Sequence, residues 1–274
     1  MKFLFTGTGD SAQVPCFGCD CAVCIRARVI VSARRGPCSA EVEVDGHCYL
    51  LDAGRMDLAE RCQRQRPEAI LLTHYHPDHV QGMLHLRWGC GESIPVYGPK
   101  DPQGCADLYR HPGVLDFQVP LKPFRPLALP SLTVTPVPLN HSKPTLGYCL
   151  DGGGGRLAYL TDTCGLPGAT ERFLRAWQPD VVVLDCGYPS RVSAPRNHNT
   201  PELAVQIIER LSVPLAYLTH IGHELDRELA EGVCALPANV RVARDGEAVS
   251  LAGKPSLPLP VRMGTRDERE VSRC

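Results

Sequence analysis

No apolar run in this 274-residue chain approaches the roughly 18 residues that a membrane-crossing helix needs. The apolar opening, Met1 to Phe5, gives way at once to Thr6, Gly7, Thr8, Gly9 and Asp10, so neither a secretory leader nor a membrane span is expected. Charge of one sign is missing too. Lys and Arg total 29 against 30 Asp and Glu, and no basic run offers a polyanion footprint, so nucleic acid is not the expected partner. Internal repeats are absent, and low complexity is confined to Gly152 to Gly155 and the Pro-rich stretch Pro120 to Pro138. With 43% hydrophobic and 22% charged residues, the composition excludes a disordered, fibrous or coiled-coil chain.

What the chain has in quantity is cysteine, 14 residues, still too few for a disulfide scaffold. A reducing, cytoplasmic setting is expected. Cys38, Cys48, Cys62, Cys90, Cys105, Cys149, Cys164, Cys186, Cys234 and Cys274 stand singly and read as small buried hydrophobes. Cys16, Cys19, Cys21 and Cys24 instead crowd one loop, residues 16–26. The run Cys19-x-Cys21-x-x-Cys24 supplies three thiolates, and a structural zinc takes four tetrahedral ligands. Cys16 would complete a local set. A redox pair is disfavoured, because no thioredoxin-like βαβ context surrounds the cluster.

Period-two alternation in Glu41 to Val44, then Asp45-Gly46, then His47 to Leu51 predicts a hairpin ending at Asp52. Leu132 to Leu139, Gly147 to Leu150 and Arg156 to Leu160 read as strands. Ala69 to Leu72, Val181 to Leu184 and Leu215 to Leu218 read as buried strands, each delivering a polar pair: Thr73-His74, Asp185-Cys186 and Thr219-His220. Thr200 with Pro201 and Glu202 predicts an N-cap and a helix through Arg210. Hairpins early, then strands alternating with helices, predict sheets packed face to face with helices outside. We expect one domain over residues 1–253 and a loosely attached tail, 254–274, where apolar content falls.

The segment His74-Tyr75-His76-Pro77-Asp78-His79 packs four ligand-type side chains into six residues directly after a strand. A shuffled chain of this composition would show that pattern on the order of one time in a thousand. Imidazoles with a carboxylate suit zinc, manganese or iron. One loop cannot aim four ligands at one ion, which implies two ions or distant ligands. His141, Asp162 and His220, each after an apolar run, are the candidates.

This order resembles the metallo-β-lactamase superfamily. The likeness narrows to the phosphodiesterases of the carbon–phosphorus lyase pathway, carried by Thr6-Gly7-Thr8-Gly9, Gly18 to Cys24, Leu72 to His76, Gln81-Gly82 with Leu86-Arg87-Trp88-Gly89, Leu139 to Lys143, Ala194 to His198, and Leu218-Thr219-His220 with His223. It spans Phe3 to about Ser250. The resemblance implies an α/β fold, the αββα sandwich of two mixed sheets with helices outside. It implies that His74, His76 and His141 hold a first divalent ion, that Asp78, His79 and His220 hold a second, that Asp162 bridges them, and that both ions are manganese. It points to His223, rather than Cys16, as the fourth ligand of a structural zinc with Cys19, Cys21 and Cys24. It places His198 at the active site, as a stabiliser of phosphoryl oxygens or as a general acid.

The implied substrate is a small cyclic sugar phosphate, 5-phospho-α-D-ribose 1,2-cyclic phosphate, with 2′,3′-cyclic nucleotides as side substrates. A second negative group on it calls for cationic or polar partners, for which Lys143, Arg196 and Asn197 are candidates. Arg87 is another, with a structural salt bridge as the equal alternative. Rival readings are a tRNA 3′-processing endonuclease, a thioester or lactone hydrolase of the same fold, and a non-catalytic metal scaffold. A homodimer is compatible with all of them.

Overall fold

The computed structural model describes residues 1–251. The tail expected over 254–274, and Cys274 with it, lies outside the described residues.

Strands β1 (Lys2–Gly7), β2 (Ser39–Val44), β3 (His47–Leu51), β4 (Ala69–Leu71), β5 (Ile94–Tyr97) and β6 (Leu115–Phe117) form one sheet. Strands β7 (Leu127–Leu129), β8 (Leu132–Pro138), β9 (Leu146–Asp151), β10 (Arg156–Leu160), β11 (Val181–Asp185), β12 (Leu215–Thr219) and β13 (Val240–Val242) form the other. The last strand, β14 (Ala248–Ser250), returns to pair with β1, so each sheet has seven strands. Both are mixed in the same way. β14, β1, β2 and β3 are antiparallel and β3 to β6 parallel, while β7 to β10 are antiparallel and β10 to β13 parallel.

The hairpin β2–β3 turns on Asp45 and Gly46, both with positive φ (49° and 87°), the geometry of a type I′ turn. Side-chain alternation then sorts the strands into layers. Tyr49, Leu51, Leu71, Leu157, Tyr159, Val183 and Tyr217 meet between the sheets with Phe3, Phe5 and Tyr148. Their neighbours Ala158, Leu160, Val182, Leu184, Ala216 and Leu218 face outward against α6 (Gly168–Trp177), α7 (Pro201–Leu211) and α8 (His223–Ala230). On the opposite side, Leu50, Ile70 and Leu72 meet Leu58 and Cys62 of α2 (Leu58–Arg64), Met83 and Leu86 of α4 (Met83–Leu86) and Leu108 of α5 (Ala106–Arg110). The result is four layers, αββα. Because β4, β11 and most of β12 are covered on both faces, their sequences are unbroken apolar runs.

α7 starts one residue after Thr200, whose hydroxyl accepts from Leu203 N, with Pro201 in the first turn as the sequence predicts. Cys38, Cys48, Cys62, Cys149 and Cys186 are buried, while Cys105, Cys164 and Cys234 are half-buried. Cys90 departs from the expectation: it lies exposed in the loop before β5. Among the described residues no helix is long and apolar enough to cross a membrane.

Candidate metal centre

The polar residues gather at the carboxyl ends of the strands. Asp52 follows β3, Thr73 and His74 follow β4, His141 follows β8, Asp162 follows β10, Asp185 ends β11 and His220 follows β12. Parallel strands end at one edge, so their following residues converge. Two of these chain ends are left-handed: Asp52 (φ 60°) and His220 (φ 61°). A non-glycine residue held there costs about 1–3 kcal/mol, and such positions concentrate at functional sites.

The chain turns after His76, where Pro77 opens the single-turn α3 (Pro77–Val80). That turn brings Asp78 and His79 back beside His74. The loop below it can approach closely only at glycine, since a Cβ on Gly54 would stand 1.6 Å from the Asp78 carbonyl oxygen.

His76 Nδ1 lies 2.8 Å from His74 Nε2 and 3.0 Å from His141 Nε2. One oxygen of Asp162, Oδ2, faces four imidazoles: His220 Nε2 at 3.2 Å, His79 Nε2 at 3.4 Å, and His74 and His141 Nε2 both at 3.8 Å. Asp78 Oδ2 stands 3.4 Å from His79 Nε2 and 3.7 Å from His220 Nε2. Two groups coincide with the expected ligand sets, His74 with His76, His141 and Asp162, and Asp78 with His79 and His220; a third, overlapping group joins Asp162 and His220 to Asp185 and His198. Their donor chemistry fits divalent ions. His79 Nε2 and His220 Nε2 are buried with no hydrogen-bond partner, and buried nitrogens without a proton partner are what a cation would satisfy.

Outer groups set which nitrogen faces inward. Asp52 accepts from Thr73 N (2.8 Å), from the Thr73 hydroxyl (2.9 Å) and from His79 Nδ1 (2.9 Å). His74 Nδ1 donates to Thr73 Oγ1 (3.0 Å), and His141 Nδ1 donates to the Asn197 carbonyl (3.2 Å). With their Nδ1 protons committed, His74, His79 and His141 all aim Nε2 at the centre. Burial lowers the pKa of His74, His76 and His141, which keeps them neutral and able to ligate. Burial also acts to lower His79 and His220, but carboxylates outweigh it: Asp52 and Asp162 raise His79, and Asp162 and Asp78 raise His220 to about 9. Asp78 and Asp162 are driven well below the usual carboxylate range by those imidazoles, although burial opposes this.

His198 lies on the rim. Its ring stacks on His220 (centroids 4.5 Å apart, planes 15°) and tilts against His141 (5.3 Å). Nδ1 donates to Asp185 Oδ2 at 2.8 Å, and Asp185 is fully buried, accepting also from Thr163 N and Gly187 N. Burial acts to lower the His198 pKa, but the Asp185 charge and hydrogen bond raise it overall. Asp52 and Asp185 were given no role by sequence reasoning. Both carry the signal that singled out Asp162, a carboxylate ending an apolar strand.

The remaining candidates are spread around the centre. Lys143 Nζ pairs with Asp101 at 3.3 Å, and Lys143, Lys100 and His141 line a cleft of about 540 Å³. Arg196 is exposed, and Asn197 meets the centre through its backbone oxygen. Arg87 takes the structural alternative: it pairs with Asp107 at 2.6 Å and lies over the Trp88 ring.

In the second cluster the structure brings His223, and not Cys16, to the three thiols. Cys19, Cys21, Cys24 and His223 bring their ligand atoms together, with His223 Nδ1 at 3.5 Å from Cys19 Sγ and 4.0 Å from Cys21 Sγ. Cys16 Sγ points instead to the Phe17 carbonyl, and Cys16 N donates to Cys24 Sγ at 3.3 Å. Burial raises the Cys21 thiol, but hydrogen bonds led by His223 bring it down to about 6. Burial pushes Cys24 up to about 12.

A family model described as a beta-lactamase superfamily domain matches residues 49–221. An octanoyltransferase of Porphyromonas gingivalis is 28% identical over 90% of this chain and 51% of its own length. A hydroxyacylglutathione hydrolase of Yersinia enterocolitica is 36% identical over 40% of this chain and 46% of its own. The chain thus spans about half the length of these curated relatives. Among solved structures, a diphosphatase from the PhnP family superimposes with TM-score 0.76 and 28% identity, covering 92% of this chain and 99% of the other. Zinc-bound PqqB of Methylobacterium extorquens (TM-score 0.71, 19% identity, 92% and 100% covered) and the short human tRNase Z (0.65, 17%, 92% and 99%) share the fold. With the four-layer sandwich, the convergent His/Asp edge and this family match, the chain belongs to the metallo-β-lactamase superfamily, close to its PhnP family.

Proposed function

We propose that the chain is a binuclear metal-dependent phosphodiesterase that opens 5-phospho-α-D-ribose 1,2-cyclic phosphate to ribose 1,5-bisphosphate during phosphonate catabolism, and that also cleaves 2′,3′-cyclic nucleotides. The observation that carries the reading is Asp162 Oδ2 facing four imidazoles, two from each ligand group, with the His198–Asp185 pair beside them. His74, His76 and His141 would hold one ion, Asp78, His79 and His220 the other, with Asp162 shared; manganese is the ion we favour. Such a pair of ions, when bound, supplies Lewis-acid stabilisation of phosphoryl oxygens and activates water for in-line attack.

The rest falls to side chains. His198 keeps one proton on Nδ1 for Asp185 and holds the other at Nε2, from which it donates to a phosphoryl oxygen or to the leaving oxygen. Asp185 fixes that tautomer. Asp78 orients the second ligand group against His220. Lys143 lines the cleft next to His141 and, with Arg196 and Asn197, is our candidate for the distal anionic group. Cys19, Cys21, Cys24 and His223 would hold a structural zinc that ties the N-terminal loop to the segment carrying His220. Free thiolates of this kind suit a reducing compartment, and neither nucleic acid nor membrane is needed as a partner.

A second reading, hydrolysis of a diphosphate anhydride, is favoured by the similarity to a PhnP-family diphosphatase. Both reactions break a P–O bond at the same kind of centre. Phosphorus NMR of manganese-loaded protein with the cyclic ribose phosphate tests the choice. Metal-dependent conversion to a C1 monoester is expected. An unchanged cyclic diester together with cleavage of a nucleoside diphosphate would overturn the first reading in favour of the second.

A further inference from the structure

A cleft of about 960 Å³ runs along Arg28, Arg34, Arg35, Arg55 and Arg61, but carboxylates balance most of that charge: Asp20 pairs with Arg28, Asp226 with Arg35, Asp57 and Asp245 with Arg55, and Glu41 with Arg61. A smaller cavity of about 280 Å³ behind it is different. It lies between α1 (Ala22–Val29) and α8, and its charged lining is Arg26, Arg35 and Arg244 with the single carboxylate Asp226. Asp226 is already bound to Arg35 at 2.9 Å. Neither Arg26 nor Arg244 has a side-chain ion pair or hydrogen bond among the described residues. Arg35 is 3% exposed; its Nη atoms bond Thr8, Ala243 O and Asp226, while its Nε is buried without a partner. Two uncompensated guanidinium groups over a buried, under-satisfied third concentrate positive charge in a chain whose formal net charge is −1.

Planar guanidinium groups match phosphate oxygens in paired hydrogen bonds, and the rest of this wall is apolar: Val23, Leu229, Leu236 and Val242. The space exceeds what a bare oxyanion fills. We propose that this cavity is a second ligand site, taking a small phosphate monoester with its phosphate on Arg26, Arg35 and Arg244 and its organic body on the apolar wall. The site is separate from the metal centre and independent of the reaction assigned to it. Its walls reach the metal clusters through the chain: Val23 precedes Cys24, and α8 begins at His223, three residues after His220. A bound monoester bridges α1 and α8 and braces the segment that holds both histidines.

Calorimetric titration of the metal-loaded protein with ribose 5-phosphate and with inorganic phosphate tests this, alongside the double variant Arg26→Gln/Arg244→Gln. The wild type should show a class of sites that the variant loses or weakens at least tenfold, while hydrolysis at the metal centre is unchanged. Tighter binding of ribose 5-phosphate marks a site for an esterified ligand; equal binding marks one for phosphate itself. Phenylglyoxal labelling of the wild type, mapped by mass spectrometry, gives a readout that does not depend on the variant's folding, since an occupied site slows modification of Arg26 and Arg244. Superimposable isotherms, or labelling of both arginines that neither probe slows, overturn the proposal.

Discussion

His198 donates Nδ1–H to Asp185 at 2.8 Å, and Asp185 is itself held by the backbone amides of Thr163 and Gly187. A carboxylate fixed in this way can do two things for the imidazole: choose its tautomer and hold its second proton. We therefore expect Asp185→Asn to cut kcat by about a hundredfold with a small change in KM. Asp185 raises the His198 pKa, so its removal should also shift the alkaline limb of the kcat profile to lower pH. A parallel fall in melting temperature with no movement of that limb would assign Asp185 a purely structural role.

Asp52 touches no ion site directly, yet it orients His79 and, through Thr73, His74. Removing such an outer partner weakens metal binding about 10- to 100-fold. Asp52→Asn should show that loss in manganese competition against a chelator, with the rest of the fold intact by circular dichroism.

If the cluster holds the zinc proposed for it, Cys21→Ser removes one of its four converging side chains and should abolish zinc binding, measured by elemental analysis, and lower both melting temperature and turnover. Zinc needs deprotonated thiols. Retention should therefore weaken as pH falls and protons compete for the thiolates. Zinc content unaffected by Cys21→Ser would remove the cluster's structural role.

Asp57 is held at about 2, below its ordinary 3.8, chiefly by the hydrogen bond from Arg55 and against a smaller upward effect of burial. A carboxylate lowered in the folded state contributes stability that is complete above the unfolded value and lost as pH drops through the folded one. Urea midpoints should thus fall between about pH 4 and 2 in the wild type, and this component of the fall should be missing in Asp57→Asn. Identical pH dependence in the two proteins would show that the pair contributes nothing.

How much was legible from the chain differs by feature. The β2–β3 hairpin and α7 were readable because Asp45-Gly46 and Thr200-Pro201 dictate backbone geometry locally. Strand ends were readable within one residue at β4, β8, β10 and β12, where apolar runs stop at a polar pair. Asp52 and Asp185 were visible as polar strand ends, but nothing local distinguishes a carboxylate that orients a histidine from one that caps a turn. Lys143 and Arg87 were equally ambiguous, and their actual partners, Asp101 and Asp107, lie 42 and 20 residues away.

Ligand types, their order along the chain and the unbroken apolar runs that let β4, β11 and β12 be covered on two faces can all be read from the chain, because each follows from short-range spacing. Which of these side chains meet is a matter of tertiary folding. It turned Cys16 away and brought in His223, 199 residues beyond Cys24 in the numbering, and it set Asp162 against four rings from three chain segments. Convergence of that kind depends on where strands end relative to one another across two packed sheets, and that is fixed by long-range pairing and core burial rather than by any local stretch of residues.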